Sequence, residues 1–219
     1  MIQTVIFDMD GVIVDTEPIH HFAFREHFKI LNIEVSSEMY ASFTGNSTKN
    51  VYQKLKEFFN LHHEIDDLIQ TKRALFNDAF DVKEDLMLLD GVEQLIHDLH
   101  QNGMQLILAS SSSKVTIDRV FNRFNLHPYF TDIVSGEDFE YSKPHPAIFE
   151  YAASLSKGLK DNCIVIEDST NGIKATKSAE IYCIGYQSEH SKLQDYAMAD
   201  LVISHFKELN FDFIQNIKT

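Results

Sequence analysis

Short apolar runs alternate along this chain with longer stretches in which hydrophobic positions return every three or four residues. The runs at 5–7, 105–109, 132–134, 163–166, 182–184 and 201–203 predict strands, being mostly apolar, bounded by turn formers and too short for helices. Helical patterns fall between most of them, including 147–154 and segments opening near Lys114 and Thr170. Such alternation predicts an α/β protein. One region departs from it. From Pro18 to about Leu88 the helical period continues through 21–31, 48–59 and 65–80 without a strand-like run. That predicts a helical unit inserted after the first strand, with hinges at Asp15-Thr16-Glu17-Pro18 and Leu89-Asp90-Gly91, where turn formers meet apolar residues. The expected organisation is a Rossmann-like, doubly wound parallel sheet from residues 1–15 and 90–219, carrying a helical cap from residues 16–89.

Polar residues at the ends of the predicted strands change the picture from fold to chemistry. The first run ends in Asp8-Met9-Asp10-Gly11, and in an open parallel sheet the carboxyl ends of strands border the ligand crevice. Two aspartates one residue apart, followed by glycine, can aim at one centre there, Asp8 as nucleophile or metal ligand and Asp10 as acid/base partner. Taken alone, the string serves equally well as a polar turn. Further strand ends carry Ser110-Ser111-Ser112-Ser113 and Glu167-Asp168-Ser169, and Lys143-Pro144 stands before the helix at Ala147. Singly, Ser110 is an ordinary helix cap, Lys143 a solvated lysine and Glu167-Asp168 the acidic start of a helix. Jointly and in order, they form the charge set that phosphoryl transfer requires. Four carboxylates in one crevice raise one another's pKa unless a cation compensates them. An all-oxygen donor set selects a hard metal, and Mg2+ suits few carboxylates plus a substrate phosphate. Lys143 adds a second positive charge, while Ser110 and nearby backbone N–H groups are placed to hold phosphoryl oxygens.

Composition narrows the partners. A chain of 219 residues with 44% hydrophobic content suffices for one core plus a small accessory unit. Its net charge of -14 opposes nucleic acid or an anionic membrane as main partner. Cys163 and Cys183 lack C-x-x-C spacing, so free buried thiols in a reducing cytoplasm are expected and a zinc site is not. Met1-Ile2-Gln3-Thr4 lacks the features of a signal peptide, and no apolar run approaches membrane-spanning length. Neither G-x-x-x-x-G-K-[ST] nor G-x-G-x-x-G occurs, so nucleotide-cradling loops are missing.

The ordered set Asp8-Met9-Asp10-Gly11-Val12, Ser110, Lys143-Pro144 and Glu167-Asp168 resembles the four motifs of the haloacid dehalogenase superfamily, in its subgroup with a helical cap after the first strand. The resemblance covers essentially the whole chain and is nearest to β-phosphoglucomutase-like phosphatases and mutases, through residues 8–17, 108–110, 142–144 and 166–173. It implies an aspartyl-phosphate on Asp8, with Asp10 protonating the leaving oxygen and then deprotonating the incoming water or hydroxyl. It implies Mg2+ held by the Asp8 carboxylate, the Asp10 main-chain carbonyl, Asp168 and Glu167, and a phosphoryl group bound by Ser110. The presence of Asp10 argues against dehalogenation.

In the cap, Thr44-Gly45-Asn46-Ser47-Thr48 resembles the loop that closes over the site in this subgroup. β-Phosphoglucomutases carry arginine where this chain has Thr48, and losing that bidentate phosphate anchor weakens a mutase assignment. Lys72 or Arg73 would partly compensate. His20 resembles a family position near Asp10, a structural histidine being the equal alternative. His20, Gly45, Thr48, Lys72 and Ser111 make up the expected substrate-binding set. The resemblance implies first a cytoplasmic, monomeric, magnesium-dependent phosphatase of a small phosphorylated metabolite such as a sugar phosphate. A sugar phosphomutase comes second. A phosphoacceptor signalling module comes third, opposed by motif order, since its nucleophile would lie on the third strand.

Overall fold

Six parallel strands form one sheet in a computed structural model that describes residues 1–188 and 193–218. In chain order the elements are β1 (Thr4–Phe7), α1 (Glu17–Ile30), α2 (Ser37–Ala41), α3 (Thr48–Phe59), α4 (Ile65–Val82), α5 (Val92–Gln101), β2 (Gln105–Ser110) and α6 (Lys114–Arg123). They continue with β3 (Asp132–Ser135), α7 (Ala147–Ser154), β4 (Cys163–Glu167), α8 (Thr170–Ser178), β5 (Tyr182–Tyr186), β6 (Leu201–Ile203) and α9 (Phe211–Gln215). All six expected strands form, as do the three expected long helices of the insertion. The short α2 was not expected: its five residues are too few to show a period, and it is set by Ser36, whose hydroxyl accepts the Met39 N–H.

The strand order is β3-β2-β1-β4-β5-β6. The chain winds outward from β1 on one side, then returns to its other side and winds outward again, which places the topological switch beside β1. Alternation explains why the strands are apolar throughout. Val5, Phe7, Leu106, Leu108, Ile164 and Ile166 face one core cluster, while Ile6, Ile107, Ala109 and Val165 face a second under α7 and α8. Pairing aligns Phe7 with Leu108 and with Ile166. The residues that follow β1, β2 and β4 therefore emerge side by side.

The insertion has its own core, in which Phe24, Phe28, Phe43, Tyr52, Leu55 and Leu68 pack together. Ile19 and Ala23 of α1 and Phe76 and Phe80 of α4 instead join the core of the sheet. The two chain crossings that connect insertion and sheet are tied to one another, since the Leu89 N–H donates to the Ile13 carbonyl at 3.0 Å. Among the described residues, no helix is long and apolar enough to cross a membrane.

Candidate active site

The carboxyl ends of β1, β2 and β4 and the facing helices enclose a cavity of about 80 Å3. Sheet-side residues Asp8, Asp10, Ser111, Ser112 and Asp168 line its floor. Glu17, His20, Gly45, Thr48, Lys72 and Arg73 line the insertion side, together with the rings of Phe24, Tyr40, Phe43 and Phe76. Of the residues singled out from the sequence, Asp8, Asp10, His20, Gly45, Thr48, Lys72, Ser111 and Asp168 thus meet at one place. Ser110, Lys143 and Glu167 lie beneath them, fully or almost fully buried.

Asp8 directly follows β1, its backbone N–H bonded to the Ile166 carbonyl of β4 at 3.0 Å. Its carboxylate accepts from the Lys143 ammonium. Lys143 is only 1% exposed and donates also to Glu167 Oε1 at 2.7 Å and the Ala109 carbonyl at 3.3 Å, so its three donors are all used. The solvated-lysine alternative therefore does not hold. Burial pushes the Asp8 carboxyl up to about 7, against the pull of Lys143 and with help from the charges of Glu167 and Asp10.

Glu167 ends β4 on the side of Val165 and points into the protein. There it accepts from the Ser169 N–H at 2.7 Å and hydroxyl at 2.9 Å as well as from Lys143. Asp168, one residue on, opens to the cavity, and among the described residues no side-chain or backbone donor reaches its carboxylate. Burial raises its pKa well above the ordinary value, reinforced by Glu167, Asp8 and Glu17. Gly11, at φ +86°, makes room for it, since a Cβ there would stand 2.2 Å from Asp168 Oδ2.

Asp8 and Glu167 thus share the Lys143 ammonium, while the neighbouring buried Asp168, which faces the cavity, has no donor among the described residues. This chemistry fits a hard cation. Among the described residues no three His, Cys, Asp or Glu side chains form a ready-made cage, and Glu167 is turned toward Lys143 and Ser169. A magnesium-type ion satisfied by Asp8, Asp168, a main-chain carbonyl, water and substrate does not require such a cage.

Asp10 is the most heavily bonded carboxylate of the cavity. Its Oδ2 accepts from the Ser112 hydroxyl at 2.6 Å, and its Oδ1 accepts from the Thr16 hydroxyl and lies 3.4 Å from His20 Nε2. Burial alone would raise it, but the His20, Ser112 and Thr16 contacts outweigh burial and hold it at about 2. His20 Nδ1 lies 2.7 Å from the ammonium of Lys72, which sits over the Phe24 ring at 4.7 Å and is almost wholly buried. Burial lowers Lys72 to about 8 and, together with the Lys72 charge, also lowers His20.

Sequence reasoning missed Ser112 and Thr16 as partners of Asp10. Ser112 lies two residues beyond Ser110, and the cap of α6 is not Ser110 but Ser113, whose hydroxyl accepts the Thr116 N–H. Ser110 does not line the cavity. Its hydroxyl accepts the Ser112 N–H at 3.0 Å and shapes the turn that presents Ser111 and Ser112. Thr16 belongs to the hinge and to the stretch 8–17, and neither gives it a part at Asp10. The insertion is closed over the sheet: Ser111 donates to the Gly45 carbonyl at 3.0 Å, and Asn171 to the Thr44 carbonyl at 2.8 Å. A Cβ at Gly45 would meet Ser169 Oγ at 2.4 Å, so only glycine lets this loop approach so closely.

Known proteins resemble this chain in sequence and fold. The chain is 27% identical over 222 residues to protein CbbY of Cereibacter sphaeroides, covering 95% of this chain and 94% of that one. It is 26% identical over 209 residues to hexitol phosphatase B of Escherichia coli K12, with the same coverage of 95% and 94%. The crystal structure of β-phosphoglucomutase from Clostridium difficile superposes with a TM-score of 0.85 at 29% identity, covering 98% and 96% of the two chains. Residues 5–186, which span Asp8, Asp10, Lys143 and Asp168, match the family model of haloacid dehalogenase-like hydrolases, and with the strand-end site described above the chain belongs to that family.

Proposed function

We propose that this protein is a magnesium-dependent phosphatase of a small phosphorylated metabolite, a sugar or polyol monophosphate, working through an aspartyl-phosphate on Asp8. The observation that carries this reading is the pairing of Asp8, fixed by buried Lys143, with Asp10, fixed by Thr16, Ser112 and His20, on the floor of one closed cavity. An oxygen of Asp8 attacks phosphorus, and the bond from phosphorus to the ester oxygen breaks as Asp10 protonates the leaving alcohol. Asp10 then takes a proton from water, which attacks the aspartyl-phosphate and restores Asp8. At a pKa of about 2 Asp10 is set as the base; a substrate that displaces its donors and brings phosphate charge raises it toward the acid role. Lys143 stabilises charge on the transferring group, and the turn shaped by Ser110 places the Ser111 and Ser112 hydroxyls, bonded to the Gly45 carbonyl and Asp10 in the closed cap, where they turn to its oxygens. Mg2+ held by Asp8, Asp168 and the Asp10 carbonyl, with Glu167 behind, would supply the remaining positive charge.

Residues 16–89 act as the cap. The cavity of about 80 Å3 is smaller than the roughly 300–1,000 Å3 usual for small-molecule sites, so substrate enters when the cap swings away. Relatives include both a hexitol phosphatase and a β-phosphoglucomutase. Hydrolysis is favoured here because the cap cations are already engaged, Lys72 with His20 and Arg73 with Glu137, and Thr48 supplies no charge. The site is complete within one chain, which supports a monomer, and two buried unpaired thiols fit a reducing cytoplasm.

Phosphorus NMR of β-glucose 1-phosphate with Mg2+ and a trace of glucose 1,6-bisphosphate, followed by a panel of sugar and polyol monophosphates, tests this reading. Inorganic phosphate is expected from wild type and not from folded Asp8→Asn. Conversion to glucose 6-phosphate without phosphate release would overturn it in favour of a mutase.

A further inference from the structure

A second cavity adjoins the first between cap and sheet, sharing Thr48, Arg73, Ser111 and Ser113 with it. It lies where Arg73 of the cap meets Glu137 of the sheet domain. A substrate with one phosphoryl group over Asp8 and a second anion can extend that anion into this adjoining cavity past the shared residues. There Arg73 of the cap faces the amino end of α6, both reaching Glu137.

That place already holds an anion of the chain itself. Glu137, just beyond β3, pairs through Oε1 with Arg73, and its Oε2 accepts the Lys114 N–H at 2.9 Å. The Lys114 ammonium is in turn bound to Asp138 at 2.6 Å. Two further carboxylates, Glu140 and Asp66, line the same cavity. Arg73 and the Lys114 N–H are thus committed to Glu137, while Lys49, which also lines the cavity, is exposed and has no carboxylate partner among the described residues.

We propose that Glu137 is a specificity-determining residue, an internal anion that reserves the distal anion position and restricts the protein to monophosphates. The inference rests on the phosphatase reading and deepens it. A bisphosphate would have to expel Glu137 from two charge-assisted contacts or accept its charge close by, and either penalises the second phosphate.

The test measures glucose 6-phosphate against glucose 1,6-bisphosphate, a pair that differs by one phosphate. Phosphate release gives kcat/KM for each in wild type, Glu137→Gln and Arg73→Gln. Calorimetry in the Asp8→Asn background gives Kd for the same pair. Glu137→Gln is expected to raise the bisphosphate-to-monophosphate ratio about tenfold or more. Arg73→Gln breaks the same cap-to-sheet contact but leaves the Glu137 charge in place, so it should not raise the ratio. The proposal is overturned if Glu137→Gln leaves the ratio unchanged, or if Arg73→Gln raises it equally, which would make the pair a latch and nothing more. If wild type releases no phosphate from these esters or from the panel of sugar and polyol monophosphates, the phosphatase reading fails while the Kd ratio still decides the role of Glu137.

Discussion

Replacing Lys143 by methionine keeps most of the side-chain volume and removes the ammonium that Asp8 and Glu167 share. Lys143 is 1% exposed, and the side chains of Asp8 and Glu167 are 8% and 1% exposed, so solvent can do little to replace the lost charge. Removing one partner from a buried ion pair costs about 3–5 kcal/mol because the other charge is stranded. For a chain of this size that lowers Tm by about 6–20 °C, at roughly 2–4 °C per kcal/mol. The loss must depend on pH. Asp8 is already raised by burial, from 3.8 to about 7, so its contribution to stability is full below 3.8 and is lost as pH rises through about 7. Without Lys143 the folded value climbs further, and ionised Asp8 becomes more costly above pH 7 but not near pH 5, where it carries its proton in either protein. Urea unfolding of wild type and Lys143→Met at pH 5 and pH 8 reads the difference. A clearly larger loss at pH 8 is expected. An equal loss at both pH values, or one under about 1 kcal/mol at pH 8, would refute the account of Lys143 as the buried counter-charge.

Asp10→Asn should slow phosphate release by about a hundred- to ten-thousandfold while Mg2+ still raises Tm; an unchanged rate would remove Asp10 from proton transfer. Chelation with EDTA should abolish turnover, and Mg2+ should restore it and raise Tm, because a ligand of the folded state stabilises it by mass action; full activity in EDTA would exclude the metal. Glu17, which lines the cavity and accepts from the Tyr40 hydroxyl at 3.1 Å, is raised by burial from 4.5 to about 7. Its contribution to stability is therefore full below 4.5 and lost as pH rises through about 7. Glu17→Gln has no charge to desolvate, so it should exceed wild type by up to about 3 kcal/mol near pH 8.5 and not near pH 5, measured by urea unfolding. Greater wild-type stability at pH 8.5 would show that Glu17 is well solvated.

The strands were legible because both faces of the sheet are covered, which makes each strand a short apolar run ending abruptly at a polar residue. The strand-end chemistry was legible for the same reason: Asp8 and Glu167-Asp168 interrupt apolar runs where packing has no use for a carboxylate. The bonds around Asp10 were not. Thr16 and Ser112 are small hydroxyl residues with strong local roles as turn and cap formers, so their type points to the backbone rather than to a carboxylate brought near only by folding. Ser110 was placed at the correct strand end, but sequence does not fix a rotamer, and its hydroxyl went to the Ser112 N–H. The division of labour between Glu167 and Asp168 also depended on alternation at the end of β4, which sends one inward and its neighbour into the cavity. Glu137 carried no signal, because its partners Arg73 and Lys114 are remote in sequence and belong to different halves of the molecule.

The bond between the Leu89 N–H and the Ile13 carbonyl, reinforced by the bridge between Val14 and Leu88, brings the two ends of the insertion together. A segment whose ends meet leaves the host sheet unstretched whatever its length, so the intervening chain is free to be recombined without disturbing the strand ends. A foreign helical segment spliced between these ends would inherit the chemistry of Asp8 and bring its own selectivity, provided it restores the apolar surface supplied by Ile19, Ala23, Phe76 and Phe80. Reaction and recognition are in that sense separately heritable parts of one polypeptide.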